Sequence, residues 1–373
     1  MAISSNAWPL TSVTELGGTI RVVQLGPALD VRGGISSVER LIAGHCAAGV
    51  DVEHIPTMVD GSLLRKLHVF ASALVRFRRV LAVDGPLVVH IHFSSRGSTA
   101  RKLMLVRMAQ HARRPVILHA HGSVFDSFFD NLPDFAKRAI RRTFSRADRF
   151  VVLSTQWKQY YVARFGLPED RVVVLCNPAA LPAAIPDRAG RERVQLLFLG
   201  RIGRRKGAFD LLHAFTSLPD AVRSRARLVF AGDGEVDALR SQAAPLGEHV
   251  RVHSWIDADQ RDALLAESDA FVLPSYNEGV PMALLEAMAS GLPVVTTPVG
   301  GIPDAVADGV DGIMVRPGNI EQLADALRRV NESESLRMSL GRNARARAER
   351  CDVKHYSLQL ATLYRSLAAA GRS

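Results

Sequence analysis

Residues Ala270 to Gly301 read "AFVLPSYNEGVPMALLEAMASGLPVVTTPVGG". The stretch divides into an apolar run, "AFVLPS", a turn from Tyr276 to Pro281, a helical run, "MALLEAMASG", and a β-branched run, "PVVTT". Gly291 stands where a left-handed residue commonly closes a helix. Strand, helix, strand, with the strands apolar throughout and not alternating, is the signature of a parallel sheet covered on both faces.

The pattern extends outward. "VQLLFLG", "RLVFAG" and "VRVHSW" precede it, and the first half of the chain carries "IRVVQL", "PLVVHIHF", "PVILHAH", "RFVVLS" and "RVVVLC", with amphipathic helical segments between. At 373 residues the chain exceeds one ordinary core, so two blocks of this kind predict an α/β protein of two Rossmann-like domains. The segment Asn177–Arg193, "NPAALPAAIPDRAGRER", has three prolines and no periodicity and reads as the join. The expected divisions are a flexible leader at 1–18, a first domain at 19–178, a linker at 179–193, a second domain at 194–350 and a final helical segment at 351–373. After "GIMVRPGN" only helical patterns remain.

Hydrophobic residues at 47% and charged residues at 23% are ordinary for a globular protein, and no apolar run is long enough to span a bilayer. The first residues lack the basic start and apolar run of a secretion signal, so the expected location is the cytoplasm. Three widely spaced cysteines, Cys46, Cys176 and Cys351, argue against a disulfide framework or a zinc cluster. Charge is uneven: residues 1–190 hold 24 Lys and Arg against 14 Asp and Glu, and the remainder holds 23 against 23. The entire excess of +10 therefore lies in the first half, which is expected to face something anionic.

Ligands of open parallel sheets bind beyond the carboxyl ends of the strands, and the chemistry-bearing motifs fall there. After the first strand, Gly33 and Gly34 open a helix whose N–H groups suit an anion, though a tight connection explains them equally. In "LLFLGRIGRRKG", Arg201 and Lys206 follow a strand among glycines and can neutralise a diphosphate without a metal. Glu278 and Glu286 bracket the start of the opening helix and can address one elongated ligand, with backbone N–H groups near Gly279 to Met282 between them for phosphate oxygens. Glu286 sits among apolar residues, where an unpaired carboxylate is costly, so a ligand hydroxyl is expected to satisfy it.

His90, His92, His119 and His121 form two H-x-H pairs at strand ends. With no carboxylate cluster or cysteine pair alongside, no metal site is assigned; His121, before Gly122 and Ser123, is the one expected to project into a cleft. The segment "GSLLRKLHVFASALVRFRRVLA" places Leu64, Leu67, Phe70, Leu74, Phe77 and Leu81 at helical spacing beside Arg65, Lys66, Arg76, Arg78 and Arg79. Such a helix either covers a core or lies on an anionic membrane surface. Nucleic acid is not expected, since interleaved aromatics and a recognisable binding module are lacking.

These motifs resemble the retaining glycosyltransferases of family 4, of GT-B architecture. The match is dense from Leu197 to Pro317, through "GRIGRRKG", "FAGDGE", "PSYNEGVPMALLEAMASGLPVVTTPVGGIPDAV" and "DGIMV", and looser earlier, at "GGISSVE", "HAHG" and "VLCNPA". The resemblance implies two parallel-sheet domains facing a central cleft, the first for acceptor and the second for a nucleotide-sugar donor, with the last helix packed back on the first. It implies that Arg201 and Lys206 bind the donor diphosphate, Glu278 faces the transferred sugar, backbone from Gly279 through Val280 and Pro281 to Met282 holds phosphate, and Glu286 binds ribose. Trp255 and Ile256 would lie near the base, although Ser254 stands where the family often has glycine. His121, Gly33 and Gly34 would reach the donor from the first domain, with Glu278, Lys206, Arg201 and His121 serving catalysis.

The resulting expectation is a metal-independent hexosyltransferase with a UDP- or GDP-sugar substrate and no cofactor. Its acceptor is expected to be a glycan, anchored by polyprenyl diphosphate at the inner face of the plasma membrane, in cell-surface polysaccharide assembly of the bacterial type. A non-catalytic nucleotide-sugar sensor and a GT-B epimerase or phosphorylase are the competing readings.

Overall fold

Residues 19–370 are described in this computed structural model; the leader at 1–18 lies outside them. The apolar runs become two parallel sheets of six strands each. The first sheet comprises β1 (Ile20–Pro27), β2 (Val50–Met58), β3 (Leu87–Phe93), β4 (Val116–Ala120), β5 (Arg149–Val152) and β6 (Val172–Val174), in the order β2-β1-β3-β4-β5-β6. The second comprises β7 (Val194–Leu199), β8 (Ala226–Ala231), β9 (Val250–His253), β10 (Ala270–Leu273), β11 (Val294–Thr296) and β12 (Gly312–Met314), in the order β12-β11-β10-β7-β8-β9.

Central strands are buried along their whole length, β3 and β10 without exception, as apolar runs covered on both faces must be. Two strands escaped the sequence reading. β2 is an edge strand that pairs with β1 and alternates half-exposed positions, including Glu53 and His54, so it offers no continuous apolar run. β12 is three residues long, too short to carry a pattern.

By compactness, residues 19–120, 131–151 and 354–370 form one unit and 121–130 with 152–353 form the other. The last helix, Val353–Ala370, thus contributes residues 354–370 to the first unit: Tyr364 shares a 2.7 Å hydrogen bond with His90 Nδ1, and Arg365 donates to the Ala48 carbonyl at 2.8 Å. The segment Asn177–Arg193 has no helix or strand, yet it is pinned to the second unit. Arg188, almost fully buried, donates to the carbonyls of Ser268 and Leu265, and Arg191 pairs with Asp269.

In each sheet the order reverses once, between β1 and β3 and between β7 and β10. Such switch points leave a crevice beyond the strand ends, where the flanking connections diverge and a ligand can enter.

Candidate active site

The second unit's crevice is built by the connections that follow β7 and β10. After β7 the chain makes a tight turn, Arg204–Lys206, closed by Gly207 at φ 69°. A Cβ on Gly207 would lie 2.2 Å from the Pro274 carbonyl, so only glycine lets this turn press against the end of β10. Arg205 cements the contact: its carbonyl accepts from the Tyr276 N–H at 2.9 Å and its guanidinium donates to the Asn277 carbonyl at 3.0 Å.

That approach brings Lys206 onto Glu278. The two form a short ion pair with only 15% and 7% of their side chains exposed, and Ser275 donates to the same carboxylate oxygen at 2.8 Å. Mostly buried pairs of this kind are costly to break, because removing one partner strands the other charge at a cost of about 3–5 kcal/mol. Arg201 stands further out, mostly exposed, 3.3 Å from Asp233.

The helix Met282–Ala289 begins directly beyond Glu278, with Pro281 as its N-cap and no side-chain cap. The backbone N–H groups of Gly279, Val280 and Met282 donate to no acceptor among the described residues, although Gly279 and Val280 are buried. Unsatisfied N–H groups at a helix start form an anion site. The carbonyls on the same stretch are used: Gly279 accepts from the Gly301 N–H at 2.7 Å and Val280 from Asn177 Nδ2 at 2.8 Å. The donors are thereby turned one way and the acceptors the other.

Glu286 lies about one turn into the helix Met282–Ala289, and here the sequence expectation needs correction. Its carboxylate is not left for a ligand alone to satisfy, because Arg261, from the helix Ala258–Glu267, donates to Oε1 at 3.0 Å. Burial still raises the Glu286 pKa, with Arg261 opposing it. Arg261 was missed because it lies 25 residues away on a helix with no apolar stripe to fix its direction. Gly300 and Gly301 were missed as site residues too. A Cβ on Gly300, at φ 57°, would fall 1.7 Å from the Glu278 carbonyl, so this glycine turn props the Glu278–Gly279 backbone.

Of the remaining residues, Trp255 and Ile256 follow β9, with Trp255 45% exposed. His121 groups with the second unit, and its carbonyl is 3.8 Å from the Cβ position of Gly279. Burial lowers its pKa to about 3, so the imidazole is neutral at ordinary pH.

Gly33 and Gly34 belong to the first unit. Gly33 is the uncapped N-cap of the helix Gly34–Gly44, whose first turn has no acid. Behind that turn lies a buried carboxylate the sequence did not disclose: Glu39, fully buried, packs against Gly26, and burial raises its pKa well above the usual range, with the charge of Lys102 opposing. Lys102, equally buried, donates to the Leu25 carbonyl at 2.9 Å and Thr57 Oγ1 at 2.7 Å.

His90, His92 and His119 do meet, on one face of β3 and β4, with candidate ligand atoms within 4.8 Å of one another. His90 Nε2 and His119 Nδ1 are 3.2 Å apart, and Tyr364 takes the other His90 nitrogen, so the rings bond one another and the last helix.

On the helix Leu63–Leu81, Ala73, Phe77, Val80 and Leu81 reach the core, whereas Leu63, Leu64 and Leu67 are 56–79% exposed. Arg65 and Lys66 are exposed beside them, Arg78 and Arg79 are exposed at the far end of the same helix, and Arg76 pairs with Glu53 at 2.9 Å. No helix among the described residues is long and apolar enough to cross a membrane.

Comparison with known proteins gives the family and the fold. Residues 187–347 match the model for glycosyl transferases group 1, and residues 12–178 match that for the glycosyl transferase 4-like domain. A D-inositol 3-phosphate glycosyltransferase of Corynebacterium aurimucosum is 28% identical over 345 residues, covering 85% of this chain and 78% of its own. A phosphatidyl-myo-inositol mannosyltransferase of Mycobacterium leprae is 28% identical over 322 residues, covering 85% and 83%. Among solved structures, Anabaena HepE in complex with UDP superposes with a TM-score of 0.72 at 19% identity, covering 92% of this chain and 99% of that one. The chain belongs to the family 4 glycosyltransferases and has the GT-B fold.

Proposed function

We propose that this glycosyltransferase moves a hexosyl group, with retention of anomeric configuration, from a UDP- or GDP-sugar to a glycan carried on a lipid diphosphate. One observation supports the donor assignment above the rest: unsatisfied N–H groups at Gly279, Val280 and Met282 lie beside a mostly buried Lys206–Glu278 pair. A diphosphate takes hydrogen bonds from those N–H groups and charge from Lys206 and Arg201, so no metal is needed to hold it. Glu278 then accepts from sugar hydroxyls, Glu286 from ribose hydroxyls, and Trp255 and Ile256 border the base.

In the reaction, the acceptor oxygen bonds to the anomeric carbon from the face the diphosphate leaves, through an oxocarbenium-like state, and the departing phosphate oxygen takes the acceptor proton. Negative charge grows on that phosphate as the bond breaks. Lys206, Arg201 and the helix start are fixed where the charge develops, and preorganised stabilisation of this kind supplies much of the rate. Neutral His121 is suited to hydrogen-bonding and not to carrying charge.

The acceptor assignment rests on the first half's charge. Exposed leucines and four exposed cations on Leu63–Leu81 suit an anionic bilayer surface, placing a lipid-anchored acceptor within reach and the enzyme at the inner face of the membrane. Cell-surface polysaccharide assembly uses such acceptors.

The test is thermal stabilisation of the purified protein by UDP, GDP, ADP and their sugars without added metal, since a ligand bound only to the folded state raises Tm. Stabilisation by one nucleotide series, weakened in Glu286→Ala, supports the donor reading. Binding without transfer to any acceptor would favour the sensor, and no stabilisation in folded protein overturns the clamp.

A further inference from the structure

We propose that Arg261 is a positioning residue for the donor: it holds one carboxylate oxygen of Glu286 so that the other is aimed at the vicinal hydroxyls of ribose, and it thereby selects ribonucleotides over 2′-deoxyribonucleotides. The inference rests on the reading of Glu286 as the acceptor for ribose hydroxyls.

Glu286 keeps 17% of its side chain exposed, enough for a ligand to reach it. Its Oε1 accepts from Arg261 Nη1 at 3.0 Å, and its Oε2 accepts no hydrogen bond among the described residues. The guanidinium is fixed along its other edge as well, where Nε and Nη2 each lie 2.8 Å from Asp262 Oδ1. A planar fork gripped on two edges loses a hydrogen bond if it swings, so the carboxylate it holds is oriented before a ligand arrives. The same helix ties this grip to the base. Asp257, directly after Trp255 and Ile256, accepts from the Gln260 N–H at 2.8 Å, and Gln260 Oε1 accepts from the Asp257 N–H at 3.1 Å. That capping box fixes the helix start between the residues assigned to the base and Arg261, the next residue after Gln260.

Charge reinforces the aim. Burial raises the Glu286 pKa, Arg261 opposes the rise and Asp262 adds to it. Of the other elements packed on the helix Met282–Ala289, β10 and β11 carry no charged residue, and Arg345 of the helix Glu334–Ala348 donates to the Ala289 carbonyl. With Arg261 removed the carboxyl pKa stands higher still, so on acidification the negative charge is lost at a higher pH. The charge is what strengthens hydrogen bonds from the sugar hydroxyls. A 2′-deoxyribose offers one hydroxyl in place of two, and a hydrogen bond to a charged acceptor changes affinity roughly tenfold or more.

Calorimetric Kd values for UDP against 2′-deoxy-UDP, and GDP against 2′-deoxy-GDP, between about pH 5 and 8, test the proposal in full-length wild type, Arg261→Met, Arg261→Lys and Glu286→Ala. Wild type is expected to bind the ribose form of its own nucleotide about tenfold more tightly, with that ratio falling on acidification as Glu286 is protonated. Protonation of the phosphates is common to both ligands and cancels in the ratio. In Arg261→Met the ratio is expected to fall towards one, with what remains lost at a higher pH than in wild type. Arg261→Lys keeps the charge without the fork, so the pH of that loss should return to its wild-type place while the ratio stays below the wild-type value. A ratio kept in Arg261→Met but lost in Glu286→Ala overturns the proposal and leaves the ribose reading standing, since a residue that merely supports the fold weakens both ligands alike. A ratio of one in wild type, or one unchanged in Glu286→Ala, overturns the ribose reading itself. If circular dichroism shows Arg261→Met poorly folded, Arg261→Lys decides alone, and a wild-type ratio there overturns the proposal.

Discussion

On the helix Leu63–Leu81, Arg65, Lys66, Arg78 and Arg79 stand in solvent without an ion-pair partner among the described residues, whereas beyond β7 and β10 Arg201 holds Asp233, Lys206 holds Glu278 and Arg261 holds Glu286. Unpaired exposed cations act at range, through a screened field that gathers anionic partners without fixing them. Paired cations act at contact, and Lys206 and Arg261, the less exposed of the three, are aimed before the ligand arrives. One half of the chain is thus equipped to find a charged surface, and the other to grip a charged group of defined shape.

The largest expected effect falls on the gripping side. Lys206→Ala should lower turnover by roughly 10²–10³-fold, the usual cost of one preorganised donor at a developing charge. Circular dichroism should show the fold retained, with Tm lowered because Glu278 loses its partner. Turnover near that of wild type would remove the distinction between the two halves.

Next comes Glu286→Ala, which frees Arg261 and removes an acceptor for the donor's ribose. Donor KM should rise about tenfold, worth about 1.4 kcal/mol, with kcat little changed. A fall in kcat at constant KM would mean that Glu286 acts on the chemistry and not on ground-state binding.

Smaller still is the effect of the exposed cations. Lys66→Gln and Arg78→Gln should each weaken sedimentation with vesicles rich in anionic lipid by about 1 kcal/mol, with the difference shrinking at high salt. Donor KM in a lipid-free assay should not move. The smallest change belongs to Arg76→Ala, whose charge is offset by Glu53, which also meets Arg21: a stability loss of at most about 1 kcal/mol by urea melting, and a smaller change in vesicle binding than at Arg78. If Arg76 and Arg78 behaved alike on vesicles, the paired and unpaired classes would not differ in function.

The sequence disclosed whatever is written in continuous patterns. Central strands such as β3 and β10 are legible because both faces are buried, and Glu278, Lys206 and the Gly279–Met282 backbone are legible because they sit within a few residues of strand ends. What it withheld depends on partners distant in the chain. β2 hides because an edge strand tolerates Glu53 and His54 on its open positions. Glu286 read as an unpaired charge because Arg261 reaches it from another helix. The full burial of Glu39 beside Gly26 leaves no local signature at all.

The assignment of residues 354–370 to the first unit has a consequence for how a cell makes this protein. A ribosome adds about 5–20 residues per second, and some 200 residues separate the first unit's Val151 from its last helix. For about 10–40 s, therefore, β3 and β4 have emerged while Tyr364, the partner of His90, is still untranslated. During that interval the uncovered face is what a nascent-chain chaperone would meet, and translational pausing within the second unit would lengthen the exposure.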